Sequence, residues 1–151
     1  MSNNQHLIIL RNKQNILEAE IKQIAELEKQ LFFNNCYETQ DLLKLFNEAN
    51  LNCLCLYENQ ILIAYCLFTN EIEMIDVYKI GVVKSFQQKG FGNLLIKELK
   101  SFNKTILIEV SDRDATQNFY LKNGFLKLGV RKNYYWDKSN AIVFKWDPQI
   151  F

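Results

Sequence analysis

Val82-Val83-Lys84-Ser85-Phe86-Gln87-Gln88-Lys89-Gly90-Phe91-Gly92 is the stretch on which the fold turns. An apolar strand ends near Val82, and a helix carrying Phe91, Leu94, Leu95, Leu99 and Phe102 begins near Gly90. A short polar turn ending in Gly90 and Gly92 joins them. Glycine lets backbone N–H groups come close to a ligand and takes dihedrals that other residues resist. A helix N-terminus adds unpaired N–H donors and the positive end of a dipole, so the turn suits a phosphate or pyrophosphate. It equally suits a plain strand-to-helix turn whose glycine serves packing. The glycine order is not the Gly-x-Gly-x-x-Gly of a dinucleotide loop, and no Gly-Lys-Ser/Thr follows as in a triphosphate loop.

On the N-terminal side of this stretch the chain predicts a first strand at Leu7–Arg11. From about Asn15, Leu17, Ile21, Ile24, Leu27 and Leu31 recur at helical spacing, which puts Glu18, Glu20, Lys22 and Glu26 on the wet face. A second helix starts after a Thr39 cap, with Leu42, Leu43 and Phe46 inward. Asn52–Glu58 and Ile61–Phe68 form a hairpin about a tight turn at Glu58-Asn59-Gln60. A turn at Thr69-Asn70-Glu71 leads into Ile72–Val83, the strand that feeds the glycine loop.

On the C-terminal side the long helix ends near Asn103. Thr105–Val110 is β-branched and apolar, hence a strand, and Ala115–Lys122 is a short helix closed by Asn123-Gly124. Leu126–Val130 and Ala141–Trp146 are the last two strands. The order β-α-α-β-β-β-α-β-α-β-β has no repeat or linker. It predicts an α/β (α+β) fold, a single domain over 1–151 with a mixed central sheet of about seven strands and helices on both faces.

Composition narrows the function. The 151 residues suffice for one full core, and 48% apolar with 23% charged residues is a globular mixture. A net charge of +1 argues against binding nucleic acid by bulk charge. Apolar runs such as Ile61-Leu62-Ile63-Ala64 fall far short of the ~20 residues a membrane span needs. The opening Met1-Ser2-Asn3-Asn4-Gln5-His6 lacks the basic region and apolar core of a secretory signal, so a cytoplasmic protein is expected. Cys36, Cys53, Cys55 and Cys66 contain no Cys-x-x-Cys pair and His6 is the single histidine, so no metal site is expected. For the same reason neither a Cys–His pair nor a Ser-His-Asp triad is available.

Gln87-Gln88-Lys89-Gly90-Phe91-Gly92 resembles the acetyl-CoA pyrophosphate loop of the GCN5-related N-acetyltransferases, Gln/Arg-x-x-Gly-x-Gly/Ala. Leu107-Ile108-Glu109-Val110, Asn118–Phe125 with its Tyr120-x-x-x-Gly124-Phe125, and Gly129–Tyr135 with Arg131-Lys132-Asn133-Tyr134-Tyr135 are similar to the RimI branch of that superfamily. The resemblance covers about Ile72–Phe144. It implies a sheet whose two central parallel strands splay apart to admit acetyl-CoA. It also implies a protein N-terminus as acceptor, a ribosomal protein in the branch's namesake. A monomer or weak dimer is expected, and composition leaves no metal, nucleic acid or membrane partner to expect. A small-amine or lysine acetyltransferase and a non-catalytic CoA-binding module remain the alternatives.

Roles follow from that resemblance. Glu109 matches the branch's general base and Tyr120 its general acid toward the CoA thiolate. Outside the resemblance, Glu109 is an exposed strand-end glutamate and Tyr120 a half-buried aromatic. The loop Gln87, Gln88, Lys89, Gly90, Phe91 and Gly92 would hold the pyrophosphate. Backbone groups of Ile80 and Val82 would pair with the pantetheine arm, and an N–H near Val82 would meet the thioester oxygen. Between Glu109 and Tyr120 the chain is one residue shorter than the branch, and Arg113 or Asp114 falls where its CoA-contacting asparagine is expected; Asp114 is the candidate. Gly81 replaces the branch's frequent alanine, a change expected to be small. Tyr134 and Tyr135 would flank the peptide groove, or cap the core. Arg131 and Lys132 would meet a carboxylate or stay solvated.

Overall fold

The computed structural model describes residues 5–149. Met1–Asn4, the head of the stretch read for a secretory signal, lie outside the described residues. The elements are β1 (His6–Arg11), α1 (Glu18–Leu31), α2 (Thr39–Glu48), β2 (Asn52–Glu58), β3 (Ile61–Asn70), β4 (Met74–Val82), a 3₁₀ turn (Lys84–Phe86), α3 (Phe91–Lys100), β5 (Thr105–Ser111), α4 (Gln117–Lys122), β6 (Leu126–Arg131) and β7 (Ala141–Trp146). The strands form one mixed sheet in the order β1-β2-β3-β4-β5-β7-β6. This is the α/β architecture that the order of elements predicts. No helix among the described residues is long and apolar enough to cross a membrane.

The chain gathers into two compact units, Met1–Thr69 with Lys79–Leu95, and Asn70–Tyr78 with Ile96–Phe151. In the first, β1, β2 and β3 form an antiparallel meander. Leu62 to Thr69 are buried without a break, because both faces of β3 are covered. Ile63 is an extra residue in the β2–β3 ladder, a bulge between Leu62 opposite Tyr57 and Ala64 opposite Leu56.

The helices of this unit correct the expected placement of three side chains and of one cap. Glu20 is buried, not on the wet face: it accepts Leu17 N–H, Arg11 Nε–H and the Tyr57 hydroxyl. Burial pushes the Glu20 carboxyl up, but those hydrogen bonds and the Arg11 charge outweigh it and hold the group below its ordinary range. Leu17, read as inward, is an exposed cap residue instead. Glu38 rather than Thr39 caps α2, with Asp41 accepting Glu38 N–H at 2.8 Å. Leu43 is turned to solvent while Leu42 and Phe46 are buried.

Glu28, a fourth acidic residue of α1, is fully buried. Its carboxylate accepts the Tyr65 hydroxyl and Tyr37 N–H and lies 3.5 Å from Lys79 Nζ. Lys79 also donates to Asn35 O at 2.6 Å and stands 4.1 Å from the centre of the Phe32 ring. A charge this deep is tolerated only when paired and hydrogen-bonded. Residues 32–37 are thereby tied to β3 and β4.

In the second unit β4 runs parallel to β5 over Met74–Val77 and Thr105–Ile108, where the ladder ends although both strands continue. β7 then pairs antiparallel with β5 and with β6. Ile106, Ile108, Val110, Tyr120, Phe125, Ile142 and Phe144 are buried. Ile72 does not belong to β4: Glu71 N–H bonds Met74 O across a turn, and Ile72 is 92% exposed at its tip. Helix α4 starts two residues later than its sequence suggests, since Asp114 Oδ1 accepts Thr116 N–H and holds a local turn. Gly124, at φ +84°, supplies the left-handed residue after α4.

Candidate active site

In the first unit the glycine loop is shaped by its own chain. Lys84–Phe86 make one 3₁₀ turn, closed by Phe86 N–H to Val83 O and Gln87 N–H to Lys84 O. Gln87 Nε2 reaches back to Val82 O at 2.9 Å, so this side chain ties the loop to the strand end. Gln88 and Gly90 both have positive φ, +62° and +91°. A Cβ on Gly90 would meet nothing within 4 Å, so the glycine answers a backbone requirement and leaves open space beside it. Phe91 anchors the other end, packed edge-on against Phe86 and 5.0 Å from the His6 ring.

Helix α3 opens here, with Leu94 N–H bonded to Gly90 O. The first turn of such a helix directs N–H donors and a partial positive charge outward. Lys89 is exposed, its ammonium 5.6 Å from the Phe86 ring centre. Loop backbone, open glycine and helix start together fit an anion.

β4 leads into this loop. Val83 N–H bonds Ile63 O, and alternation along an extended strand then turns the N–H and C=O of Ile80 and Val82 away from β3. That is the orientation an added strand-like ligand needs, although Val82 O is already taken by Gln87. The reading of Gly81 as a small change is corrected. The Tyr65 ring occupies the space where an alanine methyl would stand.

In the second unit Glu109 lies on β5 opposite Val143 of β7. Its Oε1 is 3.2 Å from Arg131 Nε, so Arg131 does meet a carboxylate, that of the candidate base. Asp76 of β4, opposite Leu107, is a further acid of this region that sequence reasoning misses. Burial, then the charges of Glu71 and Glu109, hold its carboxyl above the ordinary range. A carboxylate in a β-strand carries no local signal of such neighbours.

Tyr120 on α4 is buried rather than half-buried, its ring 5.0 Å from Phe119 and 5.7 Å from both Phe125 and Phe144. Phe125 N–H bonds Tyr120 O, so the Tyr-x-x-x-Gly-Phe spacing closes the helix onto β6. Asp114 spends one oxygen on Thr116 N–H. Tyr134 and Tyr135 lie between β6 and β7, 5.2 Å apart and nearly perpendicular. Tyr134 is half exposed and takes the Arg131 guanidinium at 5.6 Å from its ring centre. No group of three or more metal-ligating side chains occurs among the described residues.

The fold is shared with known enzymes. The crystal structure of the ribosomal-protein-S18-alanine N-acetyltransferase from Escherichia coli superposes with a TM-score of 0.78 over 96% of both chains, at 18% identity. The model of the acetyltransferase (GNAT) domain matches residues 49–127. The chain therefore belongs to the GNAT family and is an acetyl-CoA-dependent N-acetyltransferase by class. Among curated relatives, the [ribosomal protein bS18]-alanine N-acetyltransferase of Haemophilus influenzae is 28% identical over 99 residues, 60% of this chain and 68% of that protein. The N-alpha-acetyltransferase RimI of Mycobacterium tuberculosis is 36% identical over 63 residues, 40% of each.

Proposed function

We propose that this chain transfers an acetyl group from acetyl-CoA directly to the α-amine of a protein N-terminus, a ribosomal protein being the first acceptor to test. The observation that carries the acceptor is the pair of bacterial relatives, one named for an alanine of a ribosomal protein and the other for Nα-acetylation. The fold by itself would leave the acceptor open.

On this reading the backbone of Gln87–Gly92 and the start of α3 hold the pyrophosphate. Ile80 and Val82 pair with the pantetheine arm through the backbone groups turned away from β3. An N–H near Val82 is the donor for the thioester oxygen as negative charge develops there. Asp114 serves CoA through the oxygen that Thr116 leaves, and Tyr134 and Tyr135 line the path of the peptide.

An α-ammonium has a pKa of about 7.7–8.0, so it must shed a proton before its nitrogen can attack. Glu109 takes that proton, directly or through water. The nitrogen lone pair then bonds the thioester carbonyl carbon and the C–S bond breaks. Tyr120 protonates the departing thiolate and is reprotonated by the second proton, shed as the amide forms. The products are an acetylated N-terminus and the free CoA thiol, with no covalent enzyme intermediate.

Mass spectrometry of acetyl transfer tests this reading. Peptides with free N-termini beginning Ala, Ser, Gly or Met are compared with blocked lysine peptides and simple amines. Modification confined to free α-amines is expected. Transfer only to lysine or small amines would discard the acceptor and keep the class.

A further inference from the structure

We infer that Arg131 is a positioning residue for Glu109, an inference that rests on the reading of Glu109 as the base. The registers of three strands bring the two together. Glu109 faces Val143, Val143 faces Gly129, and Arg131 sits two residues beyond Gly129, opposite Ala141. Residues directly opposed in a ladder share a face and successive residues alternate, so all of these side chains stand on one side of the β5–β7–β6 ladders.

The Arg131 guanidinium crosses that face to place Nε 3.2 Å from Glu109 Oε1. Its side chain is 59% exposed and that of Glu109 30% exposed. A pair this wet adds little to folding stability, so its consequence lies in orientation. A guanidinium stays protonated in proteins and neither takes nor gives the substrate's proton, so it acts through the carboxylate.

Arg131 Nε stands 3.2 Å from Glu109 Oε1, the contact through which the guanidinium orients the carboxylate. Fixing one oxygen sets the plane of the carboxylate and presents the other to an amine or a water. Arg131 is itself steadied, with its guanidinium 5.6 Å from the Tyr134 ring centre and Tyr134 stacked edge-on against Tyr135. The β6–β7 connection that carries these rings is held by Asn133 N–H to Asn140 Oδ1 and by Tyr135 N–H to Ser139 O. The chain of side chains Tyr135–Tyr134–Arg131–Glu109 thus joins the aromatic loop to the base.

The test is a mutant cycle read by the single-turnover rate of acetyl transfer at saturating acetyl-CoA and acceptor. Arg131→Met should slow that rate by about tenfold to a hundredfold, as a misplaced catalytic group does, with acetyl-CoA affinity unchanged. Arg131→Lys, which keeps the charge without the planar fork, should recover part of the loss. Tyr134→Ala should slow it less than Arg131→Met, and Tyr134→Phe least. In a Glu109→Gln background, Arg131→Met should have no further effect. A full additional loss in that background, or a wild-type rate for Arg131→Met, would overturn the inference while leaving Glu109 as base. A wild-type rate for Glu109→Gln alone would remove the base, and with it the reason for positioning it.

Discussion

The Tyr65 ring lies where a side chain on residue 81 would have to begin: a Cβ built on Gly81 would stand 2.5 Å from both Cζ and Oη of Tyr65. Tyr65 cannot yield easily, because its hydroxyl is held by the buried carboxylate of Glu28. Gly81→Ala should therefore cost about 1–3 kcal/mol by overpacking, measured by chemical denaturation. A near-neutral result would mean that the ring moves aside without loss.

The same hydroxyl has a second consequence. Burial first, and then the charge of Glu28 and the hydrogen bond to it, push the Tyr65 phenol far above its ordinary range. Tyr65→Phe removes a hydrogen bond to a charged group and should lower stability by about 1.5–3 kcal/mol. In the wild type the folded phenol stays protonated where the unfolded one ionises. Stability contributed by the pair is present below the ordinary tyrosine range and falls as pH rises above about 10. Melts of wild type and Tyr65→Phe between neutral and alkaline pH should converge.

Asp76 gives the opposite lever, near acid pH. Its folded carboxyl titrates above the unfolded value, so ionising it costs stability as pH rises through the folded pKa. Asp76→Asn should raise the melting temperature at neutral pH and lose that advantage below about pH 3.9. An equal gain at both pH values would show that packing rather than charge is responsible.

Tyr120→Phe keeps the ring among Phe119, Phe125 and Phe144 and deletes only the oxygen. If Tyr120 delivers the proton to the thiolate, turnover should fall by about 10²–10⁴-fold with acetyl-CoA affinity unchanged. Calorimetric titration alongside steady-state rates separates the two effects. A variant that turns over normally would return Tyr120 to a purely packing role.

Gly90 separates cofactor binding from chemistry. Its φ of +91° lies in a region β-branched residues avoid, and its Cβ direction is open. Gly90→Val should weaken acetyl-CoA binding at least tenfold by straining the loop and filling that space. The stability change should stay within a few kcal/mol. Normal affinity would move the pyrophosphate elsewhere.

Much of the architecture is legible because strands and helices here follow local rules. The meander strands are dense in apolar residues, α3 repeats at helical spacing, and Asn123-Gly124 marks where α4 stops. What local rules miss are partnerships made across long sequence separations. Glu20 belongs to the polar face of α1 until Arg11 and Tyr57 are seen to fold over it. Glu28 carries no sign of Tyr65, 37 residues away. The glycine loop is visible as a motif, but the Gln87 tie to Val82 O and the left-handed Gln88 are not. Arg131 has two plausible fates in the sequence, and the β5–β7–β6 register decides between them.

The placement of the four thiols makes the first unit report on its own opening. Cys53, Cys55 and Cys66 are fully buried, and burial drives the Cys53 and Cys66 thiols away from the reactive thiolate form. Cys36 alone is partly accessible, in the segment between α1 and α2 that Lys79 fastens through Asn35. A thiol reagent thus meets one prompt site and three silent ones. Any slow labelling beyond the first equivalent would clock excursions that expose β2 and β3, without a probe having to be engineered into the chain.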